Sequence, residues 1–447
     1  MAPFKAAVCT LRFHSRWNLI ALLLPVSLAF FVTASVGQER TSRLDQVTVE
    51  QWRDDLSVLA QQMQARHANL YHTVSPSRFD LSIRNLKRRV PALSPLKIVL
   101  EIESIVASVR DGHTRVMDNR IPFRRYPLRF KWYKDGVFVQ SAQKNYADAV
   151  GARVTRIGKL SIDEAISAVA DIVPRDNDFS LRERVPWRLV TPEILFGLGL
   201  VDNMEHAQYE LERNGRRWSI EVAPLQQPPM ECQGVLRQLP SDWSDARQPG
   251  TPPLWLRNPC ESYWFEYIPD TQMLYVQVNE VQNRGNATLA QFFERVFAVA
   301  ESRPLARFVL DLRLNAGGNL DLLRPIMVGL IRRENINQRG KFFTIIGRRT
   351  FSAAQYWVDE LEKYTETVFV GEPTAQAVNF YSDAEVFQLP HSGIRIGVSS
   401  LRWQPMPPWQ DRLSTDPQIG AELASFDYTN NLDPAIDAIL RYGSAKR

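Results

Sequence analysis

Cysteine is scarce, with three in 447 residues, and histidine nearly so, with six. Three cysteines cannot build a disulfide scaffold, and no CxxC and no histidine beside a cysteine suggests zinc. HExxH, Walker and GxGxxG motifs are all absent, so the reading calls for no metal and no cofactor. SxxK occurs at Ser94–Lys97 and Ser141–Lys144 without a KTG or SDN companion. No Lys/Arg block with interleaved aromatics occurs. The formal charge is +5, but Lys5, Arg12 and Arg16 lie in an acid-free stretch of 37 residues, without which the chain carries +2. That near-neutrality excludes a nucleic-acid partner from the reading.

Long apolar runs are missing too, except for one. Leu19–Val32 is fourteen residues without a charge, behind a basic start and ahead of small residues to Gly37. It suits a signal-peptide core of about 7 to 15 residues and falls short of the roughly 20 that span a bilayer. The chain is therefore expected to be exported, to a periplasmic or extracellular compartment, with cleavage between Ala34 and Gln38; an uncleaved N-terminal anchor is the alternative. Export leaves Cys232 and Cys260 as an even pair, read as one disulfide, the alternative being two buried thiols.

What remains is ordinary globular composition, 45% apolar and 23% charged, long enough for several domains. Residues 38–120 read as a helical N-terminal region. Trp52, Leu56, Leu59 and Met63, then Ile98, Ile102, Ile105 and Val109, keep the spacing of one helix face. Ser94 and Pro95 open the second helix and Gly112 closes it, which puts His113 in the following turn. Residues 121–225 turn β-rich, with an Asn214–Gly215 hairpin and a Ser161/Glu164 capping box. Residues 226–261 form a proline-rich linker carrying the disulfide. Residues 262–447 alternate strands and helices, so the fold class is α/β with a mostly parallel sheet.

In such a sheet, sites gather at loops after the carboxyl ends of strands. The loop after Arg313 carries Gly317–Gly318, which can aim N–H groups at an anion or simply make a tight turn. The next carries Ser352 at the start of a helix, the context of a nucleophile elbow and equally of a plain N-cap. A serine nucleophile needs a base, and among His67, His72, His113, His206 and His391, His113 is presented from a turn in Asp111–Thr114.

DGHT at 111–114, DLRLNAGG at 311–318, GRRTFSAA at 347–354 and VGEPT at 370–374, with HANLY at 67–71, occur in an order that resembles the tail-specific proteases, or C-terminal processing peptidases. The resemblance runs from about Trp52 to Leu440 and implies a PDZ-like module at 121–225 before a serine protease core. It assigns Ser352 as nucleophile and the N–H groups of Gly318 and Ala353 as the oxyanion hole. Members with a Ser-Lys dyad carry lysine where this chain has Thr374–Val378, and Lys363 lies in the intervening helix. The base then falls to His113, as in the tricorn-like branch, with Gly112 where that branch has a hydroxyl residue and Asp111 as the nearest group to orient the imidazole. Gln355 stands where a glutamate is common. The function implied is an exported serine endopeptidase that cleaves peptides or protein C-terminal segments through an acyl-enzyme. The alternative is an inactive relative that binds a peptide or hydrophobic ligand.

Overall fold

The computed structural model describes residues 44–443 except 228, 233, 237, 286 and 287. The expected signal segment and its cleavage point lie outside the described residues, as does the side chain of Cys232. Among the described residues, no helix is long and apolar enough to cross a membrane.

Three helices, Val49–Arg66, Pro76–Arg89 and Pro95–Ala107, form the N-terminal region. Side-chain caps from Thr48, Ser75 and Ser94 satisfy N–H groups that the first helical turn leaves without partners. The residues read as helix faces are the buried ones: Trp52, Leu56, Leu59 and Met63, then Ile98, Ile102, Ile105 and Val109. They pack on Phe387, Leu389, Ile394, Ile396 and Val398, which belong to a hairpin, Phe380–Gln388 with Arg395–Trp403, near the other end of the chain. Arg115–Asp118 joins that hairpin as a third, antiparallel strand. The helix ends otherwise than expected. Arg110, at φ 59°, makes the left-handed turn, and Gly112 keeps an ordinary φ.

Residues 128–245 contribute a seven-stranded sheet. Its hairpin turns at Asn214 and Gly215, both left-handed, and pairs Tyr209 with Ile220 and Leu211 with Trp218. Ser161 and Glu164 close the expected capping box on the helix Ile162–Ala170. Trp243–Asp245, inside the proline-rich stretch, pairs with Gly136–Gln143 as a further strand of this sheet.

The C-terminal part is a six-stranded sheet. Met273–Val278, Arg307–Asp311, Phe342–Ile346, Val368–Gly371 and Ile419–Gly420 run parallel, with Tyr263–Ile268 antiparallel at one edge. Alternate residues of each strand face opposite ways. Leu274, Val276, Phe308 and Leu310 meet the helices Leu289–Ser302, Leu323–Ile331 and Ala353–Tyr364. Tyr275, Val309, Phe343 and Val370 meet the helix Pro434–Arg441. Both faces are covered, as a parallel sheet requires, and the loops after Asp311, Ile346 and Gly371 come together at one end.

Candidate active site

The first of these loops is shaped by Asn315, whose Nδ2 donates to the Val278 carbonyl at 3.0 Å while its Oδ1 accepts the Gly317 N–H at 2.8 Å. Gly317 and Gly318 sit at φ +109° and +143°, and both are crowded. A Cβ on Gly317 would lie 2.6 Å from Ser352 Cβ, and one on Gly318 would lie 2.1 Å from the Val281 carbonyl oxygen. The Gly-Gly pair therefore serves close approach as well as the turn. The N–H groups of Gly318 and Ala353 find no acceptor among the described residues.

Ser352 joins the strand Phe342–Ile346 to the helix Ala353–Tyr364 at φ 59°, ψ −127°. A non-glycine residue rarely holds such a φ, and the strain turns its side chain away from the helix. Its hydroxyl makes no cap bond, so the plain N-cap reading does not hold. Instead Oγ lies 3.0 Å from His113 Nε2. Thr350 braces this elbow: its hydroxyl donates to the Leu312 carbonyl and accepts the Gly347 N–H, each at 3.0 Å.

His113 is half-buried and stacks on the ring of Phe351, nearly parallel at 24° with centroids 4.4 Å apart. Gly112 makes this stacking possible, since a Cβ there would fall 2.8 Å from the Phe351 ring. Burial above all, with the Arg184 and Arg115 charges, pushes the imidazole down to about 4 against the opposing pull of Asp111. His113 is thus neutral at neutral pH.

Asp111, the residue nearest in sequence for orienting the imidazole, holds the backbone instead. Its Oδ1 accepts the His113 N–H at 2.9 Å, and its Oδ2 accepts the Thr114 hydroxyl at 2.6 Å. The same oxygen lies 3.3 Å from His67 Nε2. His67 Nδ1 accepts the Asn69 N–H at 2.9 Å, so the His67 proton sits on Nε2 and is donated to Asp111. This gives the HANLY segment a physical role: it supports the turn that carries His113.

The group against the other side of the imidazole is Gln376, in the segment Thr374–Val378 that lacks a lysine. Gln376 Oε1 accepts the Ser352 backbone N–H, which fixes the amide, and Nε2 then faces His113 Nδ1 at 3.2 Å. An amide Nε2 can only donate, which suits Nδ1 as acceptor, while the Tyr381 backbone accepts from the imidazole and opposes the fall of its pKa.

Gln355 turns away from the cleft and donates to Asp359 at 2.8 Å and Thr415 at 3.0 Å. Lys363 is occupied by Glu360 and the Pro405 carbonyl, both at 2.6 Å. Two further residues lacked any motif that would have marked them. Asp176 accepts the Gly112 N–H at 2.8 Å, with burial raising its carboxyl to about 7. Asn177 donates to the Thr374 and Leu413 carbonyls at 3.0 and 2.6 Å and so ties residues before the helix Asp178–Arg184 to the core. Ser352, His113, Phe351, Ala316, Arg184 and Arg188 are among the residues lining a cleft of about 720 Å³.

An α/β core with a serine on a strained strand-to-helix turn, a histidine on its hydroxyl and free N–H groups beside it has the architecture of a serine hydrolase. Among solved structures, the chain shares the fold of mature CPAF. The lactacystin complex of mature CPAF aligns at 12% identity over 88% of this chain and 97% of that one, with a TM-score of 0.60. Mature CPAF alone aligns at 10% identity over 88% and 96%, with a TM-score of 0.61. The photosystem II D1 C-terminal processing protease overlays more loosely, at 12% identity over 87% and 96% with a TM-score of 0.39. Mature CPAF is a tail-specific protease, so its overlays show the fold implied by the sequence motifs. No family model and no curated protein matches the sequence.

Proposed function

We propose that this protein is a serine peptidase that cleaves peptides or protein C-terminal segments through an acyl-enzyme at Ser352. The observation that carries this reading is the strained Ser352, with its hydroxyl 3.0 Å from a half-buried, neutral His113 at a cleft of peptide-binding size. In acylation, His113 Nε2 takes the Ser352 proton while Oγ bonds to the scissile carbonyl carbon. The carbonyl π pair moves onto oxygen, facing the N–H groups of Gly318 and Ala353. Collapse of this intermediate expels the amine, which receives the proton from Nε2, and water then hydrolyses the ester by the reverse proton path.

For Nε2 to accept, the imidazole proton has to be on Nδ1. Gln376 then turns its Oε1 toward Nδ1–H and releases the Ser352 N–H. The resting arrangement is therefore one step removed from the reactive one. Export of the chain and a Cys232–Cys260 disulfide belong to the same proposal, resting on the apolar segment at 19–32 and on the even cysteine pair that remains.

Labelling with a fluorophosphonate tests the reading, because only an activated serine reacts. Modification mapped to Ser352 and lost in Ser352→Ala is the expected result. An unlabelled wild-type protein that still binds peptide would favour a silent binding relative.

A further inference from the structure

The turn that presents His113 is held by two carboxylates on consecutive N–H groups. Asp111 Oδ1 accepts the His113 N–H at 2.9 Å, and Asp176 Oδ1 accepts the Gly112 N–H at 2.8 Å. The first bond is local to the turn. The second arrives from 64 residues further along the chain, out of the β-rich region, from the short segment between the helices Ile162–Ala170 and Asp178–Arg184. The proposed proton transfers use neither Asp176 nor its neighbour Asn177.

That segment is itself tied down. Arg175 donates to the Val173 carbonyl at 3.1 Å, and Arg184 to the Pro174 carbonyl at 2.7 Å. Asn177 Oδ1 accepts the Ser180 N–H at 2.9 Å and so caps the helix that follows. Its Nδ2 reaches a different part of the site, donating to the Thr374 carbonyl at 3.0 Å and the Leu413 carbonyl at 2.6 Å. Two residues after Thr374, Gln376 meets both the Ser352 N–H and His113 Nδ1. Adjacent side chains on one anchor thus hold the turn of the base and the segment of its amide neighbour.

Electrostatics shows what Asp176 supplies. Burial and the Asp111 charge raise its carboxyl to about 7, against the pull of the Gly112 N–H, the Arg184 guanidinium and the Ala377 N–H. The group is therefore partly neutral at neutral pH. Its Oδ2 is buried without a hydrogen-bond partner, so the one bond it makes in full is to Gly112. Asp176 contributes an acceptor of fixed position rather than a fixed charge. Gly112 has no side chain by which to be held, and its N–H bond sets how closely the turn approaches Phe351, the ring on which His113 stacks.

We infer that Asp176 and Asn177 are positioning residues for the catalytic pair: Asp176 places the turn that carries His113, and Asn177 keeps the Gln376 segment in register with it. Neither touches the reacting atoms. Both act through groups that do, and a displacement of about 1 Å at such a site costs on the order of 10²-fold in rate. The inference rests on the proposed peptidase site for its effect on turnover, while the placement of the His113 ring can be read without turnover.

Steady-state peptide cleavage and the ring NMR signals of His113, read in full-length histidine-labelled protein and assigned with His113→Gln, test it together. Asp176→Ala is expected to lower kcat about 10- to 100-fold with KM within about twofold of wild type, and to move the His113 signals. Asp176→Asn, which keeps an uncharged acceptor, should bring kcat back to within about threefold of wild type and return the signals. Asn177→Ser keeps a helix cap but is too short to reach the Thr374 and Leu413 carbonyls, and a fall in kcat of about tenfold at constant KM is expected of it. This variant and Asp176→Asn decide the matter if Asp176→Ala does not fold, which circular dichroism monitors. A lower melting temperature with wild-type kcat in Asp176→Ala and Asn177→Ser would mean a merely structural role and overturns the inference. So does a kcat in Asp176→Asn as low as in Asp176→Ala. Should wild-type Ser352 take no fluorophosphonate, the peptidase reading fails and the ring signals alone decide: a shift in Asp176→Ala that Asp176→Asn reverses sustains the positioning role, and unmoved signals overturn it.

Discussion

Gln376 Nε2 lies 3.2 Å from His113 Nδ1, and because its Oε1 is occupied by the Ser352 N–H, the amide faces the imidazole as a donor. A carboxylate in that position would accept from both Nδ1–H and the Ser352 N–H. Gln376→Glu is therefore expected to raise kcat/KM by up to about 10⁴-fold, the cost of a wrong tautomer in a serine protease. Peptide cleavage rates measure this, with labelling rates as a second readout. A variant slower than wild type would mean that the amide, as it stands, supports the reaction.

Loss of either member of the Ser352–His113 pair should lower turnover by roughly 10³- to 10⁶-fold. Ser352→Ala and His113→Ala, checked for folding by circular dichroism, provide the comparison. Inactivity of Ser352→Ala alone would place the base elsewhere.

The depressed pKa of His113 sets the acid limb of activity. The neutral imidazole is the base, so kcat/KM falls as pH drops through the free-enzyme pKa. With that value near 4, activity should persist at pH 5, where an ordinary histidine of pKa about 6.5 would be largely protonated. A pH–rate profile breaking near 6.5 would show His113 to be better solvated than this packing implies.

Gly112→Ala places a methyl group 2.8 Å from the Phe351 ring. Overpacking of this kind costs about 1 to 3 kcal/mol, and here the displaced ring also carries His113. A lower melting temperature together with a fall in kcat larger than the change in KM is expected from thermal melts and steady-state kinetics.

Cys232 and Cys260 should be recovered as one cross-linked peptide in non-reducing maps of exported protein. The same preparation should begin between Ser35 and Gln38 on N-terminal sequencing. Two freely alkylated thiols would remove the bond and weaken the case for an oxidising compartment.

Local chemistry sufficed where an element's fate depends on its own neighbours. Caps at Ser94 and Ser161, the Asn214–Gly215 turn and the largely apolar strand Met273–Val278 were legible because capping, turn geometry and burial on both faces leave their mark within a few residues. The order of DGHT, NAGG and TFSAA, likewise, was enough to nominate His113, Gly318, Ser352 and Ala353.

What depended on distant partners was not legible. The hairpin of Phe380 to Trp403 is exposed along Asp383–Val386, which breaks its alternation, and it is held by helices that lie far earlier in the chain, between Val49 and Ala107. Whether Ser352 caps its helix or turns toward a histidine was settled by Gly317 crowding its Cβ and by His113 arriving 239 residues away in sequence. Asp111 is two residues from His113 and cannot curl back to its ring while its carboxylate binds the backbone N–H, so the contact passes to Gln376 from across the fold. Sequence by itself determined which side chains could do the chemistry, since composition and local pattern limit the candidates. Only the tertiary structure decided which of them meet, because hydrogen bonds across 239 and 263 residues of chain exist once the sheet has brought its loops to one end.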